Sequence, residues 1–404
     1  MRIAIFTSSF PVLSETFVIN QIVGLINQGA RVDIITNSVN QNNAMHEIVK
    51  QYHLMDYVKV IGINKDLSKF KKLIYTIFNF FIICFSFDFF KLFSIVRDDL
   101  LHINEKMHLI SSLKVKVKGD NHYDKIICHF GYSGYYVCKL REIGVISGRV
   151  FTVFHGVEIS DYILVKKYKN IYKKLFLEGD MMLPISNLWA EKLISWGCPI
   201  SKVKVHHMGV DLDEFSFCPK HIDKKLKVVQ VGRLTEKKAI LDSITAVSLA
   251  RKRIPIEFSI IGDGDLYLEA KKLIDCLGAN EYIYLLGNQP QEIVKKYLNS
   301  SNVFLLPSVT ASNGDMEGIP VALMEAMSIG LAVISTYHSG IPELIKDGHS
   351  GFLVPESSVE QLSEKLVEVF YKDDNSLLEI QLAARSVCES EFNNKILNRI
   401  IYSM

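Results

Sequence analysis

Short apolar runs bounded by small or polar residues recur along the chain at residues 3–6, 32–36, 58–61, 126–129, 150–154, 181–185 and 203–206. They recur again at 228–231, 258–261, 283–286, 303–306, 331–335 and 352–354. Each is followed by a longer stretch with helical spacing, the alternation of βαβ units, so two doubly wound parallel sheets of the α/β class are expected. Residues 211–226 are polar, contain Pro219 and lose the periodicity, which makes them the linker and puts the boundary near residue 215. A short helix is expected over 320–329, because Pro320 suits a first helical position and Gly330 a C-terminal stop. Ser14 is the residue type of an N-cap for a helix running to about Ile26. The last helical pattern, 377–401, is expected as one helix.

Composition narrows the class. At 404 residues, 49% hydrophobic and 22% charged, the chain has material for two folded lobes. The formal charge of +2 sets up no field for a long polyanion, so nucleic acid is not expected as a partner. Seven cysteines, odd in number and scattered, form no metal knuckle or redox pair and are expected as reduced core residues of a cytoplasmic protein. Residues 73–87 carry no charge and follow Lys65, Lys69, Lys71 and Lys72, yet fall short of the about 20 residues a crossing helix needs. Three readings stay open: a buried helix of the first lobe, a surface between residues 65 and 95 that meets the inner membrane peripherally, or a transmembrane helix.

In open α/β sheets ligands collect beyond the carboxyl ends of the strands, which selects the polar residues closing each apolar run. In the second half these are Gly232-Arg233, Gly262-Asp263-Gly264, Gly287-Asn288 and residues 308–317. At the expected helix start, the first amides, Val321 included, lack intrahelical acceptors. Gly318, ahead of Ile319 and Pro320, leaves room for a bulky anion, so the segment is a candidate diphosphate site. Glu317 precedes this helix and Glu325 lies in its second turn. Carboxylates accept from paired hydroxyls, so one could hold a sugar and the other a ribose, although acids near a helix start also simply answer its dipole. Arg233 and Lys238 could clamp the same diphosphate, against the alternative of a solvated basic loop with Glu236 and Lys237. His155 directly follows a strand, and its charge would change near neutral pH, so it could donate a hydrogen bond or assist proton transfer. His129 repeats that pattern one strand earlier, where a structural role weighs more. Ser14, Glu15 and Thr16, after the first strand, form a loop that could bind an acceptor.

With these residues in view, the chain resembles the family-four retaining glycosyltransferases of the GT-B fold. The resemblance is to the branch that builds bacterial exopolysaccharide, colanic-acid-type, capsule or O-antigen units. It is carried by residues 10–20, His155-Gly156, 183–186, 209–215, 232–238, Gly262-Asp263-Gly264, Glu317-x7-Glu325 and 340–343. It implies two Rossmann-like domains facing each other across a cleft. An acceptor-binding domain would span 1–215 plus a returning helix at 385–404, and a nucleotide-sugar-binding domain 216–384. It further implies that Arg233 and Lys238 meet the donor diphosphate, that Glu325 binds ribose and that Glu317 and His155 contact the transferred sugar. Gly262 and Gly287 would line the donor's edge. Hexose transfer to a polyprenyl-diphosphate-linked saccharide would proceed with retention, without metal or cofactor, on the cytoplasmic face of the inner membrane. Three positions depart from the pattern: the Ser14 region replaces a Gly-Gly pair, Ala239 a glycine, and Glu158 an aspartate. A nucleotide-sugar epimerase and a non-catalytic scaffold of a glycan-assembly complex are the competing readings.

Overall fold

The computed structural model describes residues 1–12, 15–40, 47–61, 74, 77, 89–112 and 121–404. The first sheet contains β1 (Arg2–Thr7), β2 (Arg31–Thr36), β3 (Val58–Val60), β4 (His122–His129), β5 (Ser147–Phe154) and β6 (Met181–Pro184), in the order β3-β2-β1-β4-β5-β6. The second contains β7 (Leu226–Val231), β8 (Ile256–Ile261), β9 (Ile283–Leu285), β10 (Val303–Leu306), β11 (Ala332–Thr336) and β12 (Phe352–Val354), in the order β12-β11-β10-β7-β8-β9. Neighbouring strands run parallel, as β1 with β4 and β7 with β10. Helices cover both faces, so central strands read as unbroken apolar runs; Ile3, Ala4, Ile5, Val303, Phe304 and Leu305 are all buried. The strand order reverses between β1 and β4 and between β7 and β10, the switch points beyond which ligands collect in such sheets. This is the GT-B architecture expected from the sequence.

Four expectations are corrected. Residues 203–206 run beside β6 without joining the sheet as a strand. The Lys204 and His206 amides reach Met182 and Pro184 carbonyls, but a single bridge, Met182 with Val203, forms before the chain turns into the linker. The last helical pattern is two helices, Asp374–Glu391 and Asn394–Ser403, because Asn393 stops to cap the second by accepting from the Lys395 amide. The first stays on the second lobe, with Cys388 and Ala384 in its core. The second returns to the first lobe, where Ile401 joins the core and Lys125 Nζ donates to the Ile401 and Tyr402 carbonyls at 2.9 and 2.6 Å. Its crossing over helix Thr16–Asn27 depends on Gly24, since a Cβ there would stand 1.9 Å from Asn398 Nδ2. Glu15, rather than Ser14, occupies the N-cap position of that helix; Ser14 itself lies outside the described residues. Cys218 and Cys276 are exposed, unlike the buried Cys128, Cys138, Cys198 and Cys388.

The 73–87 segment also lies outside the described residues, apart from the exposed Ile74 and Ile77. Among the described residues no helix is long and apolar enough to cross a membrane.

Candidate active site

Glycines let the loops after β7, β8 and β9 lie against one another. A Cβ on Gly262 would stand 1.9 Å from the Gly232 carbonyl oxygen, and the Gly262 amide donates to the Gly287 carbonyl at 2.9 Å. On this floor the loop after β7 tightens into a turn, Glu236–Lys238, closed by Ala239 in the left-handed region at φ +45°. The turn is not a solvated basic loop. Glu236 accepts from the Ser312 amide and hydroxyl at 2.8 and 2.7 Å, and Lys237 Nζ lies 3.0 Å from Asp315. Lys238 Nζ stands 3.2 Å from Glu317 Oε1, with Lys237 at 3.8 Å. Burial alone would raise the Glu317 carboxyl, but Lys238 and then Lys237 outweigh it and hold the group below its ordinary value. Arg233 is exposed and, among the described residues, makes no ion pair.

Helix Val321–Ile329 starts three residues after Gly318. Pro320 is its N-cap rather than its first residue, no side chain caps it, and Gly330 ends it at φ +101°. The Val321 and Ala322 amides, at its first turn, therefore stay available to an anion. Val321 and Glu325 share one helical face and line a cleft of about 400 Å³ with Thr16, Phe17, Gly209 and Gln289. Burial, with Glu214 adding repulsion, pushes the Glu325 carboxyl up to about 7.

Gly318 joins the two lobes, because a Cβ there would meet Ile185 Cδ1 at 2.4 Å and the His155 carbonyl oxygen at 3.0 Å. Around it the loops interlock. Met316 donates its amide to Ser160 Oγ at 3.1 Å, Asn313 its side-chain amide to Asp161 Oδ2 at 2.7 Å, and Tyr162 its amide to the Asn313 carbonyl at 2.9 Å.

The facing wall is built of neutral imidazoles. His155 packs between Phe17 and Phe130, ring centroids 4.4 and 4.8 Å away, and its Nε2 lies 3.0 Å from His129 Nδ1. His129 Nε2 in turn lies 3.0 Å from Gln21 Oε1. An amide oxygen only accepts, so His129 is protonated on Nε2 and takes the His155 Nε2 proton on Nδ1. Burial depresses both groups, His129 to about 3 and His155 well below its ordinary value. The expectation that His155 changes charge near neutral pH is therefore overturned; it is a neutral, oriented ring. His129, 2% exposed, stands behind it and contacts His155 rather than the cleft. Glu158 accepts from the His155 amide at 2.8 Å, and burial pushes its carboxyl up to about 7.

Two partners of the site, the buried His338 and the half-buried Glu356, were not anticipated. The Glu317 amide donates to His338 Nε2 at 3.1 Å, and His338 Nδ1 lies 2.6 Å from Glu356 Oε1. Both follow apolar runs, at β11 and β12, so the strand-end filter would have selected them.

The family model described as "Glycosyl transferases group 1" matches residues 213–386. The chain is 36% identical over 407 residues to the putative colanic acid biosynthesis glycosyltransferase WcaL of Salmonella typhimurium, covering 100% of this chain and 99% of that protein. It is 37% identical over 401 residues to the amylovoran biosynthesis glycosyltransferase AmsK of Erwinia amylovora, covering 99% and 98%. Among solved structures, Anabaena Alr3699/HepE superposes with a TM-score of 0.73 at 15% identity, over 100% of this chain and 98% of that one. The lipopolysaccharide outer core galactosyltransferase WaaB does so with a TM-score of 0.68 at 19% identity, over 100% of both. Fold and end-to-end similarity agree: the chain belongs to the group 1 glycosyltransferases, beside the exopolysaccharide enzymes WcaL and AmsK.

Proposed function

We propose that this enzyme transfers a hexose-type sugar, with retention, from a nucleoside-diphosphate sugar to a lipid-diphosphate-linked saccharide in bacterial exopolysaccharide assembly. One observation carries the reading: a buried carboxylate, Glu317, is held ionised by Lys238 at the foot of an uncapped helix start. That arrangement suits a donor whose diphosphate meets the Val321 and Ala322 amides with Lys238 and Arg233, while Glu317 accepts from sugar hydroxyls and Glu325 from the ribose. HepE, one of the solved neighbours, was crystallised with UDP and with UDP-glucose, a donor class that this cleft would suit.

In the proposed step the anomeric C–O bond to the leaving phosphate breaks as the acceptor oxygen bonds to the same face of that carbon. The acceptor proton passes to the departing phosphate oxygen. Lys238, Arg233 and the helix amides stabilise the charge developing on the diphosphate, in place of a metal ion. His155, neutral and with Nε2–H committed to His129, orients the sugar rather than carrying its proton.

For the acceptor lipid, helix Tyr162–Glu178 offers a surface besides the 65–95 segment. Lys166, Lys167, Lys173 and Lys174 are exposed on it and, among the described residues, form no ion pair. Tyr162, Ile163 and Leu177 are 65, 73 and 72% exposed. Such a face suits an anionic leaflet. Its first residue, Tyr162, packs on Gly314 of the donor loop, so a membrane met there would present its lipid-linked sugar at the cleft.

The test is a panel of UDP-glucose, UDP-galactose, GDP-mannose and GDP-fucose, scored by released nucleotide with and without polyprenyl-diphosphate-linked saccharides, in buffer containing a chelator. Acceptor-dependent release with an α-linked product from an α-linked donor is expected. Donor interconversion without acceptor, or an inverted product, overturns the reading.

A further inference from the structure

We propose that His338 and Glu356 form a positioning pair that sets the Glu317 carboxylate against the donor sugar by clamping the Glu317 peptide. This inference rests on the proposed role of Glu317 toward that sugar. His338 follows β11, is fully buried and cannot itself reach a ligand. Its Nε2 faces the Glu317 amide, a group that only donates, so that nitrogen carries the lone pair and the ring proton sits on Nδ1. Nδ1–H then donates to Glu356 Oε1 at 2.6 Å. A carboxylate at this place enforces the tautomer, because an ionised carboxylate only accepts; a neutral amide could also donate and permit the other form.

The contacts close a circuit around the loop that presents Glu317. Glu356 Oε2 accepts from the Thr310 amide at 2.8 Å, near the start of the loop. At its end, the Glu317 amide is held by His338 and the Glu317 carbonyl accepts from Ser339 Oγ at 2.6 Å. Thr336 Oγ1 donates to the Ser308 carbonyl at the loop's first residue. One imidazole and one carboxylate thus tie both ends of residues 308–317 to the strand ends of β11 and β12. The position of Glu317 Cα, and through it the carboxylate's approach to Lys238, follows from that tie. A misplacement of about 1 Å in such a group costs on the order of a hundredfold in rate.

A simple staple would affect folding and every ligand alike, whereas a positioning pair affects the sugar alone. The experiment measures, by calorimetry, the affinity of the panel's active donor and of its parent nucleoside diphosphate, together with kcat, for His338→Phe, His338→Gln and Glu356→Gln. Expected for His338→Phe is an unchanged nucleoside diphosphate affinity within about twofold, donor affinity weakened about tenfold and kcat lowered about tenfold to a hundredfold. His338→Gln, whose Oε1 can accept from the same amide, should restore kcat to within about threefold of wild type. Glu356→Gln should fall between the two. In a Glu317→Gln background, His338→Phe should add less than about threefold, because no carboxylate remains to be placed.

Equal weakening of donor and nucleoside diphosphate, full multiplicative loss in the Glu317→Gln background, or failure of glutamine to rescue would overturn the pair. Should His338→Phe not fold, Glu356→Gln decides: a selective loss of sugar affinity supports the pair, and wild-type behaviour overturns it. The outcomes separate the two claims. Wild-type transfer by Glu317→Gln would sink the donor-site reading itself, whereas an inactive Glu317→Gln beside a wild-type-like His338→Phe would sink only the pair.

Discussion

The two walls of the cleft use opposite electrostatics. On the C-terminal lobe Lys238, Lys237 and Asp315, each half-buried, form a network of ion pairs around the buried Glu317. On the N-terminal lobe His129, His155 and Gln21 form a chain of neutral hydrogen bonds, and burial keeps both imidazoles unprotonated. The difference assigns work. Charge that develops on a departing diphosphate is met by the wall carrying cations, while the facing wall supplies fixed dipoles and shape. Within the charged wall the contrast recurs: Glu317 is held below its ordinary value by two lysines, whereas burial and Glu214 outweigh Lys295, which pairs with Glu214, and Glu325 rises to about 7.

The largest effect should come from removing charge on the ionised wall. Lys238→Ala takes away both the proposed diphosphate contact and the partner that keeps Glu317 ionised, and should lower kcat about 10²- to 10³-fold, as measured by nucleotide release. Lys238→Arg should not restore it fully, since the flat guanidinium cannot occupy the position of a compact ammonium 3.2 Å from Glu317. Near wild-type rates in Lys238→Ala would erase the contrast between the walls.

The neutral wall should declare itself in stability at acid pH. His129 has a folded value of about 3 against an ordinary value near 6.5, so the unfolded chain binds the proton first. Its contribution is complete above pH 6.5 and is lost as pH falls from there toward 3. His129→Asn keeps an acceptor for His155 Nε2–H but does not titrate. Between pH 7 and 4.5 that variant should lose about 2 kcal/mol less stability than wild type in denaturant titrations. The buried imidazoles of His155, held well below its ordinary value, and His206, depressed to about 4, leave a residual slope in both proteins. Equal losses in the two would show an imidazole already charged in the folded state.

Most of the architecture was legible because buried parallel strands must be apolar on both faces, and runs such as 303–306 announce this directly. Residues 203–206 carry the same signal, yet they pair through alternate amides for too short a stretch to make a strand. The site was legible where chemistry is local: Lys238, Glu317 and the helix start at Val321 lie close to one another in sequence or follow strand ends. The tautomer of His155 was not, because it depends on Gln21, 108 residues from His129 in the chain. His338 and Glu356 were in reach of the strand-end rule but carry no spacing that ties them to Glu317. Only the fold brings them to its amide.

Glu325 gives a smaller, pH-dependent test. With its carboxyl at about 7, the ionised form that accepts from ribose hydroxyls is a minority at pH 6 and predominant at pH 8. Donor affinity should therefore rise about tenfold across that range, as calorimetry would measure, and Glu325→Gln should flatten the rise. A slope that persists in Glu325→Gln would place the titrating group elsewhere, with Glu158 on the opposite wall the first candidate.

The smallest effect concerns how rigidly the charged wall is built. Ala239 closes the Glu236–Lys238 turn at φ +45°, a conformation that costs a residue with a Cβ about 1–2 kcal/mol and glycine little. Its own amide is bonded to the Glu236 carbonyl at 2.9 Å, so the left-handed geometry is held in place by the turn. Ala239→Gly should relieve the strain but restore freedom to the unfolded chain, a net gain of about 0.5–1 kcal/mol and an increase of a few degrees in the thermal midpoint. If the Lys238–Glu317 pair is held by the surrounding network rather than by this one backbone angle, kcat should change by less than about twofold. A stabilised but markedly slower Ala239→Gly enzyme would instead mean that the strained alanine helps to aim Lys238, and that the ionised wall needs the same fixed geometry that the neutral wall obtains from its hydrogen-bonded rings.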